Sequence, residues 1–307
     1  MSKPIFCIDI GGTAVKLGLV DDKGAVVAHA EQSVSFDGYR TPILDTVLRA
    51  AEEFLSHQQA MPADLAGIGV SATGQVDCRR GVVVGTGGNL PGWLDAPIAQ
   101  RLREAFGLPV TVANDANCMC LGETWAGAAV GYTDVIGVTL GTGVGGGVLT
   151  GGRLLEGARG LGGELGHMML HARDGIACGC GQRGCWERYA SVTALVGRAR
   201  ALDASLTDGR RIFQAAAEQR EDVLALLDDW MSEIAEGLIG LTHLFNPQVI
   251  LIGGGVSGQQ KLLIEPLRDK IRAGVMPAFA KGLEVRAAQL QNHAGLVGAA
   301  YYFLLHM

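Results

Sequence analysis

The sequence predicts an α/β protein built from two similar halves with a cleft between them. Apolar strand segments alternate with helix-period segments along the chain, which is the pattern of layered α/β domains. A strand, a glycine turn and a second strand open the chain in PIFCIDIGGTAVKLGLV, and the same logic returns near residue 134 in DVIGVTLGTGVGGGVLTGG with other residues. Glycine supplies 46 of 307 residues, well above the ordinary share of about 7%. The excess clusters in turns, where a missing Cβ lets backbone approach a ligand closely.

In the first half, the opening hairpin is followed by an Asp-Lys-Gly turn and a third strand. A helix is predicted over 41–57, with Ile43, Val47, Leu48, Ala51 and Leu55 at helical spacing. LAGIGVSATGQVD reads as an apolar strand ending in a small-residue loop. A second helix is predicted over 95–106, with Ile98, Leu102 and Phe106 on one face and Asp95 as candidate N-cap. The strand VTVA then runs into NDANCMCLGETWAGAA, a polar strand end followed by a helix.

The second half opens with its own glycine-turned hairpin and a Gly-Gly turn. A long helix over 221–245 carries Leu224, Leu227, Trp230, Ile234, Leu238, Leu241 and Leu244 at three- and four-residue steps, and Asn246-Pro247 stops it. The strand QVILIGGGVSG, a helix over 259–273 and the apolar helix AGLVGAAYYFLLHM complete the chain.

Composition narrows the class of function. Hydrophobic residues make up 48% and charged residues 18%, and mean hydropathy is +0.25, as for a soluble globular protein. A net charge of -6 argues against nucleic acid or an acidic membrane as the main partner. No apolar run is long enough to span a bilayer. Asp9 comes too early for a signal peptide, so a cytoplasmic location is expected. Four of the seven cysteines (Cys7, Cys78, Cys118 and Cys120) stand in apolar or turn contexts and read as buried structural residues.

The other three cysteines crowd into CGCGQRGC. With His167 they give H-x10-C-x-C-x4-C over His167, Cys178, Cys180 and Cys185. Three thiolates and one imidazole complete a tetrahedral structural zinc site with no open position. The zinc would fix a loop that has Glu164 just before it and Glu187 just after. Carboxylates are natural acceptors for sugar hydroxyls, and His167 has a second ring nitrogen to offer a ligand. As ordinary surface residues, both glutamates would simply be solvated.

The two glycine turns, Asp9–Thr13 and Leu140–Gly147, can aim backbone N–H groups at an anion. Thr13 and Thr142 add hydroxyl donors, and Asp9 adds a carboxylate able to hold Mg²⁺ through water. Two such turns, one at the head of each half, favour phosphate binding over ordinary hairpins. Gly141, Gly143 and Gly146 satisfy G-x-G-x-x-G, but a strand follows where a dinucleotide fold needs a helix. No Gly-Lys-Ser or Gly-Lys-Thr is present, which excludes a Walker A loop. IGGGV, at a strand end before a helix, reads either as an adenosine contact or as helix–strand packing. Asn114-Asp115 reads by itself as a helix cap, and Asn89 as a turn residue.

With these motifs assembled, the chain resembles the ROK family (repressors, open reading frames and kinases) of bacterial sugar kinases. The resemblance covers nearly the whole chain: DIGGTAVKLGL at 9–19, NLPGW at 89–93, NDAN at 114–117, GTGVGGG at 141–147, GELGH, CGCGQRGCWE at 178–187, IGGG at 252–255 and AGLVGAA at 294–300. It implies the actin-like ATPase superfold of two RNase H-like domains. They are placed at 1–117 and 118–307, with the final helix, about 293–307, packing back on the N-terminal domain.

The resemblance also implies roles. Asp115 corresponds to the catalytic base, and Asn89, Asn114, Glu164, His167 and Glu187, with Asp115, to the sugar ligands. His167, Cys178, Cys180 and Cys185 correspond to the zinc ligands. Asp9, Gly11, Gly12, Thr13, Lys16, Gly141, Thr142, Gly143, Gly254 and Gly255 correspond to the ATP and Mg²⁺ site. Lysine often follows DIGGT directly, yet here it stands at Lys16, and Thr73 replaces a common proline.

The implied activity is an ATP-dependent hexose kinase acting on the 6-hydroxyl of glucose, and the family suggests a homodimer. N-acetylmannosamine and N-acetylglucosamine kinases share nearly all these positions and are the alternative. Sugar-responsive regulators of the family carry a winged helix ahead of the DIGGT-like segment. Only eight residues precede Asp9, so DNA binding is not expected.

Overall fold

A computed structural model describes residues 2–86 and 90–307. The chain divides into two compact units. The first comprises residues 2–130, 154–163 and 290–307, less the undescribed 87–89, and the second 131–153 and 164–289.

The first unit begins with strands β1 (Ile5–Ile10), β2 (Ala14–Val20) and β3 (Val26–Ser33), then helix α1 (Ile43–His57). Next come β4 (Ile68–Ala72), a small antiparallel hairpin β5 (Gln75–Asp77) and β6 (Val82–Gly85), helix α2 (Ile98–Phe106), β7 (Val110–Asn114) and α3 (Asp115–Ala126). The main sheet has the order β3-β2-β1-β4-β7. The β1–β2 and β2–β3 pairs are antiparallel, whereas β4 and β7 run parallel to β1. Side chains alternate across β1 as strand geometry requires. Phe6, Ile8 and Ile10 pack with Ile43, Val47 and Leu102 of the helices on one face. Ile5 and Cys7 pack on the other face with Leu296, Ala300 and Phe303 near the chain end.

The second unit repeats the plan. Its strands are β8 (Val135–Leu140), β9 (Val144–Thr150), β10 (Arg153–Leu154, at the junction with the first unit), β11 (Val249–Gly253) and β12 (Glu284–Ala287). Its helices are α4 (Glu187–Ala190), α5 (Val192–Leu202), α6 (Gly209–Ala217), α7 (Glu221–Phe245), α8 (Glu265–Gly274) and α9 (Pro277–Ala280). The sheet order β10-β9-β8-β11-β12 matches that of the first unit strand for strand. So do the directions that the β8–β9, β8–β11 and β11–β12 pairings define. Two five-stranded mixed sheets of one topology are the duplication that the two glycine hairpins announce. The last helix, α10 (Ala294–His306), belongs to the first unit.

α7 forms because its apolar face buries Leu227, Trp230, Ile234, Leu238 and Leu241. It ends where Asn246 takes a left-handed conformation (φ 47°) ahead of Pro247. Leu244, expected on the same face, is instead 73% exposed in the last turn. Two helix starts also differ from expectation. Asp95 is no N-cap: its φ is 61°, and α2 begins after Pro97. Proline disfavours helical backbone in the residue before it, which favours a start beyond Pro97. The helix expected over 259–273 opens as a wide turn at Gln260–Ile264, where the Ile264 amide donates to the Gln259 carbonyl at 3.2 Å. Pro266 lacks the N–H that would bond the Leu262 carbonyl, so the regular ladder is interrupted there. Cys7, Cys118 and Cys120 are buried, but Cys78 is only half-buried.

α10 lies against α3 and β4 at distances that only small residues allow. A Cβ on Gly298 would overlap the Cys118 carbonyl of α3, and one on Gly69 would overlap the Ala299 carbonyl. Gly298→Ala should therefore destabilise the protein by about 1–3 kcal/mol, the cost of overpacking a filled core. Urea unfolding measures this, and an unchanged midpoint would contradict the close approach.

Candidate active site

Asp9 and Lys16 face each other directly across the β1–β2 pair. Lys16 Nζ lies 3.2 Å from Asp9 Oδ2, and buried Ser71 donates to Oδ1 at 2.6 Å. Both carboxylate oxygens are thus held at the head of the first hairpin. The turn itself is closed by the Gly11 amide on the Ala14 carbonyl (2.9 Å), and the Tyr39 hydroxyl donates to the Gly12 carbonyl (2.7 Å). Neither Ser71 nor Tyr39 carries a motif by which sequence reasoning could have singled it out. Asn89 lies outside the described residues. Trp93, which is described, is fully buried and donates its indole N–H to the Thr73 carbonyl at 2.9 Å.

At the end of β7, Asn114 is the N-cap of α3. Its Oδ1 accepts the amides of Ala116 (2.9 Å) and Asn117 (3.2 Å), and its Nδ2 donates to the Gly74 carbonyl (3.0 Å). The capping role thus falls to Asn114 and leaves Asp115 as the first helical residue. Asp115 Oδ1 accepts from the Ala116 amide (2.9 Å) and from Asn114 Nδ2 (3.0 Å). Two donors from the first turn fix the orientation of this carboxylate.

The second unit gathers the His/Cys set. One donor atom each from His167, Cys178, Cys180 and Cys185 lies within 4.8 Å of all the others. Cys180 and Cys185 sulfurs are 3.6 Å apart, and Cys178 Sγ is 3.7 Å from His167 Nδ1. Sulfurs bonded at about 2.3 Å to a tetrahedral ion stand about 3.8 Å apart, so the donors fit zinc in spacing and in chemistry. His167 turns its other nitrogen, Nε2, toward Glu164 (3.9 Å).

Glu187 joins this group to the second hairpin. Its Oε1 is 3.0 Å from Cys178 Sγ and 3.9 Å from His167 Nδ1. Its Oε2 is so close to Gly143 that a Cβ there would stand 2.6 Å away. Burial raises the Glu164 pKa above the usual carboxylate range, His167 opposes the rise, and Glu187 adds to it. Glu164, His167 and Glu187 therefore form one polar cluster beside the Gly141–Gly143 turn.

On the α5 and α6 side of that turn lies a cavity of ≈ 750 Å³, lined by Gly141, Thr142, Val192, Asp208, Phe213 and Gly255 among others. Its size is that of a small-molecule site, about 300–1,000 Å³. The N-termini of α5, capped by Ser191, and of α6, capped by Asp208, border it. The Val192 amide donates to the Gly141 carbonyl at 3.0 Å, fixing α5 to the hairpin. Gly254 (φ 92°) packs directly on the Leu140 carbonyl, where any side chain would collide. The expected contacts at 141–142 and 255 thus share one cavity, while its α5 and α6 walls were missed. Ser191 and Asp208 are recognisable cap residues, and that is the one local signal those walls offer.

Known proteins share this fold. The family model described as ROK family matches residues 5–305. A glucokinase of Thermotoga maritima is 35% identical, covering 95% of each chain. A ROK family glucokinase from Streptomyces griseus, solved in complex with glucose and AMPPNP, is 32% identical with a TM-score of 0.82, over 97% of this chain and 98% of that one. The ROK hexokinase from Thermus thermophilus is 34% identical with a TM-score of 0.80, over 98% and 99% of the two chains. With its doubled sheet topology, its His/Cys set and a family match over nearly its whole length, the chain belongs to the ROK family.

Proposed function

We propose that the protein is an ATP-dependent hexose kinase that transfers the γ-phosphate of ATP to the 6-hydroxyl of glucose. The observation that carries this reading is the position of Glu187. One carboxylate oxygen meets the His/Cys set and the other abuts Gly143 of a phosphate-type hairpin, so a hydroxyl acceptor and an anion-binding turn adjoin. The relatives named above, glucokinases and a hexokinase, support the substrate class.

Phosphoryl transfer passes through a loose transition state, so the protein's work is to position groups and to balance charge. Asp115 orients the sugar hydroxyl and accepts its proton. Asn89, Asn114, Glu164, His167 and Glu187 bind the remaining hydroxyls, the carboxylates as acceptors. Gly11, Gly12, Thr13 and Lys16 in the first unit, and Gly141, Thr142 and Gly143 in the second, hold the phosphates. Gly254 and Gly255 back the adenosine, and the cavity beside α5 and α6 takes it up. Asp9 would hold Mg²⁺, which would supply positive charge against the phosphates. His167, Cys178, Cys180 and Cys185 would hold zinc, which would supply no chemistry to the reaction and would fix the 164–187 loop that carries the sugar-binding carboxylates.

No helix among the described residues is long and apolar enough to cross a membrane. The reaction is assigned to the cytoplasm, where ATP is available, and to a homodimer.

The test is kcat/KM across glucose, N-acetylglucosamine, N-acetylmannosamine, mannose, allose and fructose in an ATP-coupled assay. Glucose should lead. A tenfold preference for an N-acetylhexosamine would transfer the assignment to that sugar, and turnover of none would overturn the kinase reading.

A further inference from the structure

The second unit contains another convergence of metal-ligating side chains, separate from the cysteine set. His171 lies on the loop that follows His167, and Glu233 and Glu236 stand three residues apart on α7, a spacing that puts both carboxylates on one face. His171 Nε2 is 2.9 Å from Glu233 Oε2, and one donor atom of each of the three residues lies within 4.8 Å of the other two. An ion pair would need His171 and Glu233 alone. Glu236 brings a third donor to the same point.

The two elements that present these donors are clamped together independently of them. Trp186, fully buried, donates its indole N–H to the Glu233 backbone carbonyl at 2.8 Å. The His171 amide donates to the Gly184 carbonyl, and Gly184, with φ 76°, packs on the His171 carbonyl where a Cβ would collide. The Tyr189 ring lies 4.0 Å from the imidazole and holds its plane. The imidazole is thus brought to α7 by backbone and ring packing, with no need of a charge on it.

We propose that His171, Glu233 and Glu236 form a second divalent-metal site, an open one with nitrogen and oxygen donors and water completing the shell. Donors about 2.1 Å from an ion stand about 3.0 Å apart at adjacent octahedral corners, and the His171–Glu233 pair at 2.9 Å has that spacing. The His171 and Glu233 side chains are 36% and 22% exposed and Glu236 is exposed, so water reaches the site. One imidazole and two carboxylates suit Zn²⁺, Co²⁺ or Mn²⁺ and no softer ion. An ion there ties the 168–185 loop to α7.

The test uses the full, untagged protein equilibrated with Co²⁺, with metal content and the visible spectrum read together. Thiolate-bound cobalt and cobalt bound by nitrogen and oxygen donors absorb differently, so each site reports separately. The wild type should show a cobalt ion of the nitrogen–oxygen type, and Glu233→Gln and Glu236→Gln should each lose it while keeping any thiolate-bound ion. Cys180→Ser should lose only the thiolate type. A second measurement is the melting temperature, which the nitrogen–oxygen ion should raise by several degrees in the wild type and not in Glu236→Gln. A wild type without the nitrogen–oxygen spectrum, or Glu variants that retain it, would overturn the proposal whatever the cysteine set binds.

Discussion

Replacing Asp115 by Asn should lower kcat by about 10²–10⁴-fold, the usual worth of a positioned general base, with little change in the affinity for glucose or ATP. The structure makes this a clean substitution. Asp115 is the first residue of α3, but the N-cap bonds come from Asn114, so the helix start does not depend on the carboxylate. Asn keeps the size of the side chain, and its one carbonyl oxygen can still accept the Ala116 amide that Asp115 Oδ1 accepts at 2.9 Å. What is lost is the oxygen that takes a proton. Calorimetric binding of glucose and of a non-hydrolysable ATP analogue, with steady-state kinetics, separates the two effects. Near-normal turnover would remove Asp115 from the chemistry. A loss of sugar binding equal to the loss of rate would make it a ligand and not a base.

Cys185→Ser should abolish metal binding at the cysteine set and lower kcat/KM for the sugar by at least about 100-fold, while nucleotide affinity changes far less. Cys185 is 1% exposed and precedes the fully buried Trp186, so a serine there puts a hydroxyl that binds zinc poorly into a buried site. Structural zinc stabilises small domains by about 10–16 kcal/mol in apparent terms, and three remaining donors hold it far less tightly. The loop then no longer holds Glu164 and Glu187, one on each side of the set, in a fixed place. The cavity proposed to take the nucleotide is walled by α5, α6 and the 140–142 turn, which carry none of the cysteine-set ligands. Metal analysis together with separate KM values for sugar and ATP is the measurement. A metal-free variant with normal sugar kinetics would show that the loop organises itself.

What sequence reading could reach follows from the range of each signal. The four metal-type donors fall within 19 consecutive residues, and three within eight, so their spacing alone announced the set. The hairpins at 9–13 and 140–147 are equally local, and the matching order of the two sheets follows the repetition they suggested. Asp115 stood out only by resemblance, because a polar residue before a helix is ordinarily a cap. The structure gives that cap to Asn114.

The cavity was invisible for a different reason. It collects residues near 140, 192–200, 207–213 and 255–259, and no local pattern marks side chains as neighbours when the fold alone brings them together. His171 and Glu233, 62 positions apart, escaped notice for the same reason. The start of α2 had a local signal, since Pro97 disfavours helical backbone at Ala96.

The most direct measurement is phosphorus NMR of the wild-type protein with equimolar MgATP and glucose. The expected result is one new phosphomonoester resonance, that of glucose 6-phosphate, growing in step with ADP and with no free phosphate. ATP that persists beside bound glucose, or ADP that appears with free phosphate in place of a sugar phosphate, would contradict phosphoryl transfer to the sugar.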